Sequence, residues 1–229
     1  MANRMTILVL GVLATFGALM GVLADILSVW SSHAGQMATA FSVSLEDIAG
    51  FYVDKPRWTY VAGNYIGLYF IPLHVLGFFL VFQALKPASL FWSRVFLALA
   101  LYLTPIGVGM HGSLAFVGDI LRSEDAELIQ GMRDYWQPWA YSLVIGYAVV
   151  SVLILGMILS GKSFYPRWTA LVSPIGLVFF SAIAIAILPE NLNGLKAFLA
   201  ITGLNLPLAV LFLVTTLILV KRDEFSLSL

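Results

Sequence analysis

Six apolar runs, at roughly 6–30, 58–84, 93–118, 136–160, 168–188 and 197–220, take up most of this chain of 229 residues. A helix rises about 1.5 Å per residue, so about 20 apolar residues cross a hydrocarbon core about 30 Å thick. Backbone amides inside that core must bond within their own segment, and no run shows the alternation of a barrel strand. The expectation is an all-α, multi-pass fold: one transmembrane domain over 1–229 with six transmembrane helices. Composition agrees, since 61% of the residues are hydrophobic and 10% charged, against roughly 45–50% and 25% in soluble domains. Six spans with short connections leave no room for a soluble domain. Thr6 to Trp30 also exceeds the 7–15 apolar residues of a signal peptide, so a retained first helix is expected despite the small-x-small Ala38-Thr39-Ala40.

Orientation follows from the basic residues of short loops. With both termini cytoplasmic, the inner side receives Arg4, Lys86, Arg94, Lys162, Arg167, Lys221 and Arg222, and the outer side Lys55, Arg57, Arg122, Arg133 and Lys196 with most of the acids. The two longer connections, about 31–57 and 119–135, then lie outside, and Ser44 and Ser123 each open a sequence suited to a brief interfacial helix. Tryptophan prefers the headgroup level; Trp30, Trp58, Trp136 and Trp139 fall at the outer interface and Trp92 and Trp168 at the inner one. The expected location is the cell (inner) membrane.

Zero net charge argues against nucleic acid as a partner. Absence of cysteine removes disulfides, thiolate metal sites, haem attachment through C-x-x-C-H and cysteine nucleophiles. No cofactor is indicated.

An ionisable group in hydrocarbon costs about 2.5–3.5 kcal/mol or more, so each one calls for a reason. Counted by rise per residue, Asp25 lies about 2–4 Å below the outer surface, and Asn64, His111 and Asn205 within about 5–12 Å of it. Ser181 reaches a similar depth, and Trp136, Gln137 and Trp139 are placed to close the mouth. Asp25 and His111 are the candidate catalytic residues, an imidazole acid/base and its orienting carboxylate; as a packing device they would share the cost of burial. Asn64, Asn205, Trp136, Glu190 and Asn191 are candidate ligand-binding residues. Asn64, Asn205 and His74 equally suit interhelical hydrogen bonding, His33 a wet loop, and the stretch Pro189–Gly194 a plain turn.

His74 counts to the other side of the midplane, about 10 Å or more from His111 along the normal. Zinc ligands must approach one ion to about 2.0–2.2 Å, so a site using His33, His74 and His111 is disfavoured and no metal is expected. Three stripes should face the bundle interior: Gly21, Asp25, Ser28 and Ser32; Asn64, Gly67, Ile71 and His74; Thr104, Gly107, His111 and Gly118.

In general outline the chain resembles polytopic families with intramembrane polar sites. Ceramidase-like hydrolases carry a late H-x-x-x-H pair, which is missing here because the last histidine is His111. His111 with Asp25 loosely resembles the intramembrane site of emopamil-binding-like sterol isomerases, without a shared motif. Three functions are open: a pocket in the outer-leaflet half for an amphipathic or lipid-like small molecule; a proton- or cation-coupled transporter or channel with His74 extending the path; and an accessory subunit of a larger membrane complex. The lipid bilayer is the partner in all three, and a homo-oligomer or a membrane-complex partner fits the last two.

Overall fold

The computed structural model describes residues 2–30, 52, 55–123 and 125–222. They form α1 (Ala2–Val29), α2 (Arg57–Phe70), α3 (His74–Leu85), α4 (Leu90–Ser123), α5 (Ala126–Leu159), α6 (Pro174–Ile187), α7 (Asn193–Ile201) and α8 (Asn205–Val220), with no strand among the described residues. Of these, α1, α2 together with α3, α4 and α5 are long and apolar enough to cross a membrane, and α7 with α8 makes a fifth span if its bent halves count as one. Helix α1 runs through the middle, against α2, α3 and α8, while α4 packs on α2, α3 and α5.

Three of the six apolar runs are not the continuous helices the sequence suggests. The fifth opens as a 3-10 turn, Arg167–Ala170, and continues as a 14-residue α6, about 21 Å long at 1.5 Å per residue. Ser173 caps α6 and Pro174 occupies its first turn, where a missing N–H costs nothing. The sixth is broken at Thr202–Leu204, and its halves meet at 63°. The second run is interrupted as well, by a 3-10 turn at Ile71–Leu73 where Pro72 cannot donate to the preceding turn.

The connection expected at 119–135 is helix instead. Helix α4 continues to Ser123, and Asp125, not Ser123, caps α5 by accepting from the amides of Glu127 and Leu128. Charged side chains read as a loop here because helices α4 and α5 outrun the apolar segments inside them. Residues 31–51, 53 and 54 lie outside the described set, so Ser32, His33, the Ser44 helix start and most of the first outer connection are not placed.

Two apolar clusters hold the bundle. One, at the end bearing Arg4, Lys86, Arg94, Lys162 and Lys221, contains Ile7, Phe82, Leu85, Ile158, Tyr165 and Leu219. There the turn after α5 uses Gly161 at φ 70°, and Phe164 donates its amide to the Ala84 carbonyl. The other cluster gathers Tyr52, Tyr60, Leu114, Val117, Trp136 and Ala197 at the opposite end.

Above that second cluster, polar side chains tie the segment before α2 to its neighbours. Arg57 donates to both Asp119 carboxylate oxygens at 2.8–3.2 Å, and Tyr60 donates its hydroxyl to Asp119 at 2.7 Å. Arg122 lies over the Tyr60 ring and donates to the carbonyls of Tyr52 and Lys55. Lys55 Nζ in turn donates to the Ile26 carbonyl, 3.0 Å away, in the last turn of α1. Partial burial pushes the Lys55 ammonium from its usual 10.5 down to about 8. Folding therefore favours the neutral amine: the cost of burying the charge is complete below about pH 8 and vanishes above 10.5, so this residue's contribution to stability improves as pH rises through that window. Competitive acylation read by mass spectrometry should give Lys55 a reactivity midpoint near pH 8; a midpoint at its usual value would remove the burial effect.

Candidate functional site

Three helices bring buried polar groups together. Asp25 of α1, His111 of α4 and Asn205, the first residue of α8, are each at most 8% exposed. His111 Nε2 lies 3.4 Å from Asp25 Oδ1, and Asn205 donates its amide to Asp25 Oδ2 at 2.9 Å. One carboxylate oxygen thus accepts from Asn205 and the other faces the imidazole. Glycines make the approach possible. A Cβ on Gly21 would lie 2.7–3.1 Å from the Asn205 amide, and one on Gly67 would lie 2.5–2.7 Å from Cγ and Cβ of His111.

Beside this triad lies a partly open cavity of ≈ 80 Å³. His111 and Asn205 line it, and so do His74, Thr104, Tyr147 and Ser151; its remaining walls are almost wholly aliphatic and aromatic. The three inward stripes meet here: Ile71, His74, Thr104 and Gly107 face the cavity, Gly67 packs on His111, and Gly21 packs on Asn205. His74 therefore shares a wall space with His111, although rise per residue separates their levels. The cavity is tall enough to take in both.

Irregular backbone converges on the same space. The 3-10 turn after α2 supplies Ile71 and leads into His74, the break between α7 and α8 supplies Leu204 and Asn205, and α4 carries Pro105 between Thr104 and Gly107. Within a bilayer, non-helical backbone is tolerated where protein buries it or where it lines a cavity, and 3-10 turns inside helices often mark functional positions. Three of the lining residues also carry a buried polar atom without a hydrogen-bond partner among the described residues: His74 Nε2, His111 Nδ1 and Ser151 Oγ. Each such atom costs about 1–3 kcal/mol if nothing else satisfies it.

The other sequence candidates sit elsewhere. Asn64 is buried, but its Oδ1 accepts from the Ala115 amide at 3.2 Å and does not reach the triad. Trp136 is 3% exposed, packs in the apolar cluster with Tyr60 and Leu114, and donates its indole N–H to Ser113 Oγ at 3.2 Å. Neither residue lines the cavity. Trp30 donates to the Gly194 carbonyl, while Trp58, Trp92 and Trp168 are exposed. Glu190 and Asn191 are exposed on the 3-10 turn before α7, away from the cavity wall. Tyr147 and Ser151, one turn apart on α5, carry no flag in the sequence, because single hydroxyls are ordinary in membrane helices. Among the described residues no group of three or more His, Asp or Glu is placed to hold a metal ion.

A family model described as a family of unknown function, DUF6796, matches residues 1–222. The chain belongs to that family. The match takes in every helix that builds the triad and the cavity, from α1 to α8. No curated protein and no solved structure matches this member of DUF6796.

Proposed function

We propose that the protein crosses a cell membrane six times, by α1, α2 with α3, α4, α5, α6 with its preceding 3-10 turn, and α7 with α8, and that its cavity takes the head of an amphipathic, lipid-like molecule. Both termini are cytoplasmic in this reading, and the membrane is the inner one. The basic residues at the Arg4 and Lys221 end and the largely apolar helix surfaces support the topology. Pockets for small ligands are mainly apolar with a few convergent polar groups, and this one has that character.

The observation that carries the binding reading is the coincidence of the cavity with three unpartnered polar atoms and a carboxylate-oriented imidazole. A chain that gained nothing from polarity here would fill the space with aliphatic side chains. If the bound molecule is also transformed, His111 is the acid/base and Asp25 the group that fixes its ring.

The test is to purify the protein in lipid nanodiscs, extract the bound small molecules and compare them by mass spectrometry with empty nanodiscs and with Gly107→Leu. Gly107 borders the cavity, and an added Cβ there meets nothing nearer than 3.9 Å, so leucine grows into open space. The native protein should enrich an amphiphile that the variant does not. Identical extracts from all three samples would remove the binding reading.

A further inference from the structure

We infer that the head of the bound amphiphile is a neutral hydroxyl, which makes the ligand a single-chain lipid alcohol; this rests on the amphiphile reading above. Charge comes first. No Lys, Arg, Asp or Glu lines the cavity, and the nearby Asp25 spends one oxygen on His111 and the other on Asn205. A carboxylate or phosphate head would enter apolar surroundings with no counter-charge, and an ammonium head would find no uncommitted carboxylate. Either costs far more than a hydrogen-bonded neutral group.

The hydrogen-bond inventory then selects among neutral heads. His74 bonds to the Gly17 backbone, and since Nε2 has no partner, the bond runs from Nδ1–H to the Gly17 carbonyl. Neutral imidazole has one N–H, so Nε2 is left as an acceptor. Thr104 donates its hydroxyl proton to the Ala100 carbonyl at 2.9 Å, and Tyr147 donates its own to Leu204 at 3.4 Å. Each hydroxyl has a single proton, so both face further partners as acceptors. Ser151 keeps an uncommitted hydroxyl proton, Asn205 keeps the second N–H of the amide that donates to Asp25, and His111 Nδ1 is a further acceptor because Nε2 is the nitrogen that faces the carboxylate. Four acceptors, His74 Nε2, His111 Nδ1, Thr104 and Tyr147, against two donors, Ser151 and Asn205, suit a head that both donates and accepts, which is an alcohol. A ketone or ester carbonyl only accepts and would leave the histidines unsatisfied.

Size limits the rest. At ≈ 80 Å³ the cavity is smaller than the space of about 150 Å³ that holds a benzene, so it takes the hydroxyl and the first few carbons, not a fused ring system. The remaining chain must leave through the open side. Helix α6 gives the cavity Pro174, and no residue of α6 after Pro174 is buried, which makes this side the exit we assign to the tail. An alkyl or isoprenoid tail passing there would lie against apolar side chains such as Leu177 and Val178 before meeting lipid.

Four probes of equal chain length test this on the full protein in nanodiscs: radiolabelled hexadecan-1-ol, with its methyl ether, hexadecanoate and hexadecyltrimethylammonium as competitors. The alcohol should bind saturably and the ether, which cannot donate, should compete at least about tenfold less well than unlabelled alcohol, because a site built to bond a hydroxyl rejects the analogue without it. Ser151→Ala should weaken binding, and Gly107→Leu should abolish it. Gly107→Ala, a single methyl added to open space, serves as a milder block should the leucine variant fold poorly. An ether equal to the alcohol, or a charged probe that wins, would overturn the alcohol assignment while leaving the pocket in place, provided the Gly107 variants still block. Absence of saturable binding of the labelled alcohol, together with nanodisc extracts that show no enriched amphiphile, would overturn both.

Discussion

Gly63→Ala should be among the most damaging small substitutions in this chain, lowering stability by roughly 3 kcal/mol or more. Gly63 on α2 faces Ser28 and the backbone of α1: a Cβ would sit 2.7 Å from the Ala24 carbonyl oxygen and 2.9 Å from the Ser28 amide nitrogen. A rotamer change cannot relieve a clash with backbone, so the helices must separate. Association in a bilayer depends on close packing and not on expulsion of water, which makes that separation costly along the whole contact. Gly107→Ala is the matched comparison, with its nearest atoms at 3.9 and 4.0 Å. Denaturant titration or thermal unfolding of the two variants in one detergent should show a large loss for Gly63→Ala and little change for Gly107→Ala. Equal behaviour would mean that α1 and α2 do not meet as closely as described.

Asp25→Ala is the second. It removes the carboxylate that accepts from the Asn205 amide and faces His111 Nε2 at 3.4 Å, and leaves both buried groups without that partner. Breaking a buried charged or hydrogen-bonded group from one side typically costs about 3–5 kcal/mol. The signature that separates this from generic packing loss is non-additivity. Adding His111→Leu to Asp25→Ala should cost much less than His111→Leu costs in the native chain, because the carboxylate that the imidazole served has gone. Strictly additive losses would show that the two residues do not act as a unit.

The sequence contains the triad to an unusual extent because depth is linear in residue number. One rise per residue is enough to put Asp25, His111 and Asn205 at a common level, and a charged group at that level needs partners of the kind the other two provide. Azimuth is harder to read. Asn64 has the right height but turns toward the Ala115 amide, since a small change of helix rotation selects a different neighbour at the same depth. Trp136 shows the same dependence on azimuth: its ring turns into the bundle, where Ser113 accepts the indole N–H.

Interruptions mislead the count in another way. The 3-10 turn at Ile71–Leu73 and the break at Thr202–Leu204 interrupt the regular count, and His74 lines the same cavity as His111. The sequence does hold signals for these sites in Pro72, Pro105, Pro174 and Gly203, but a proline alone does not say which way a helix bends. Tyr147 and Ser151 become noticeable only once α5 is laid against that bend. The charged stretch around 119–135 resembles a loop because acids are scarce in hydrocarbon. Beyond the headgroups that scarcity no longer applies, and helix is available to them.

Helices α4 and α5 are 34 residues each, about 51 Å of rise against a hydrocarbon core of about 30 Å. In the proposed topology their joined ends extend past the outer headgroups, with Asp125 capping α5 there. In that arrangement an antibody, a fluorophore or an affinity tag placed at this turn would sit in water several turns from the cavity, a point from which the protein could be immobilised or tracked.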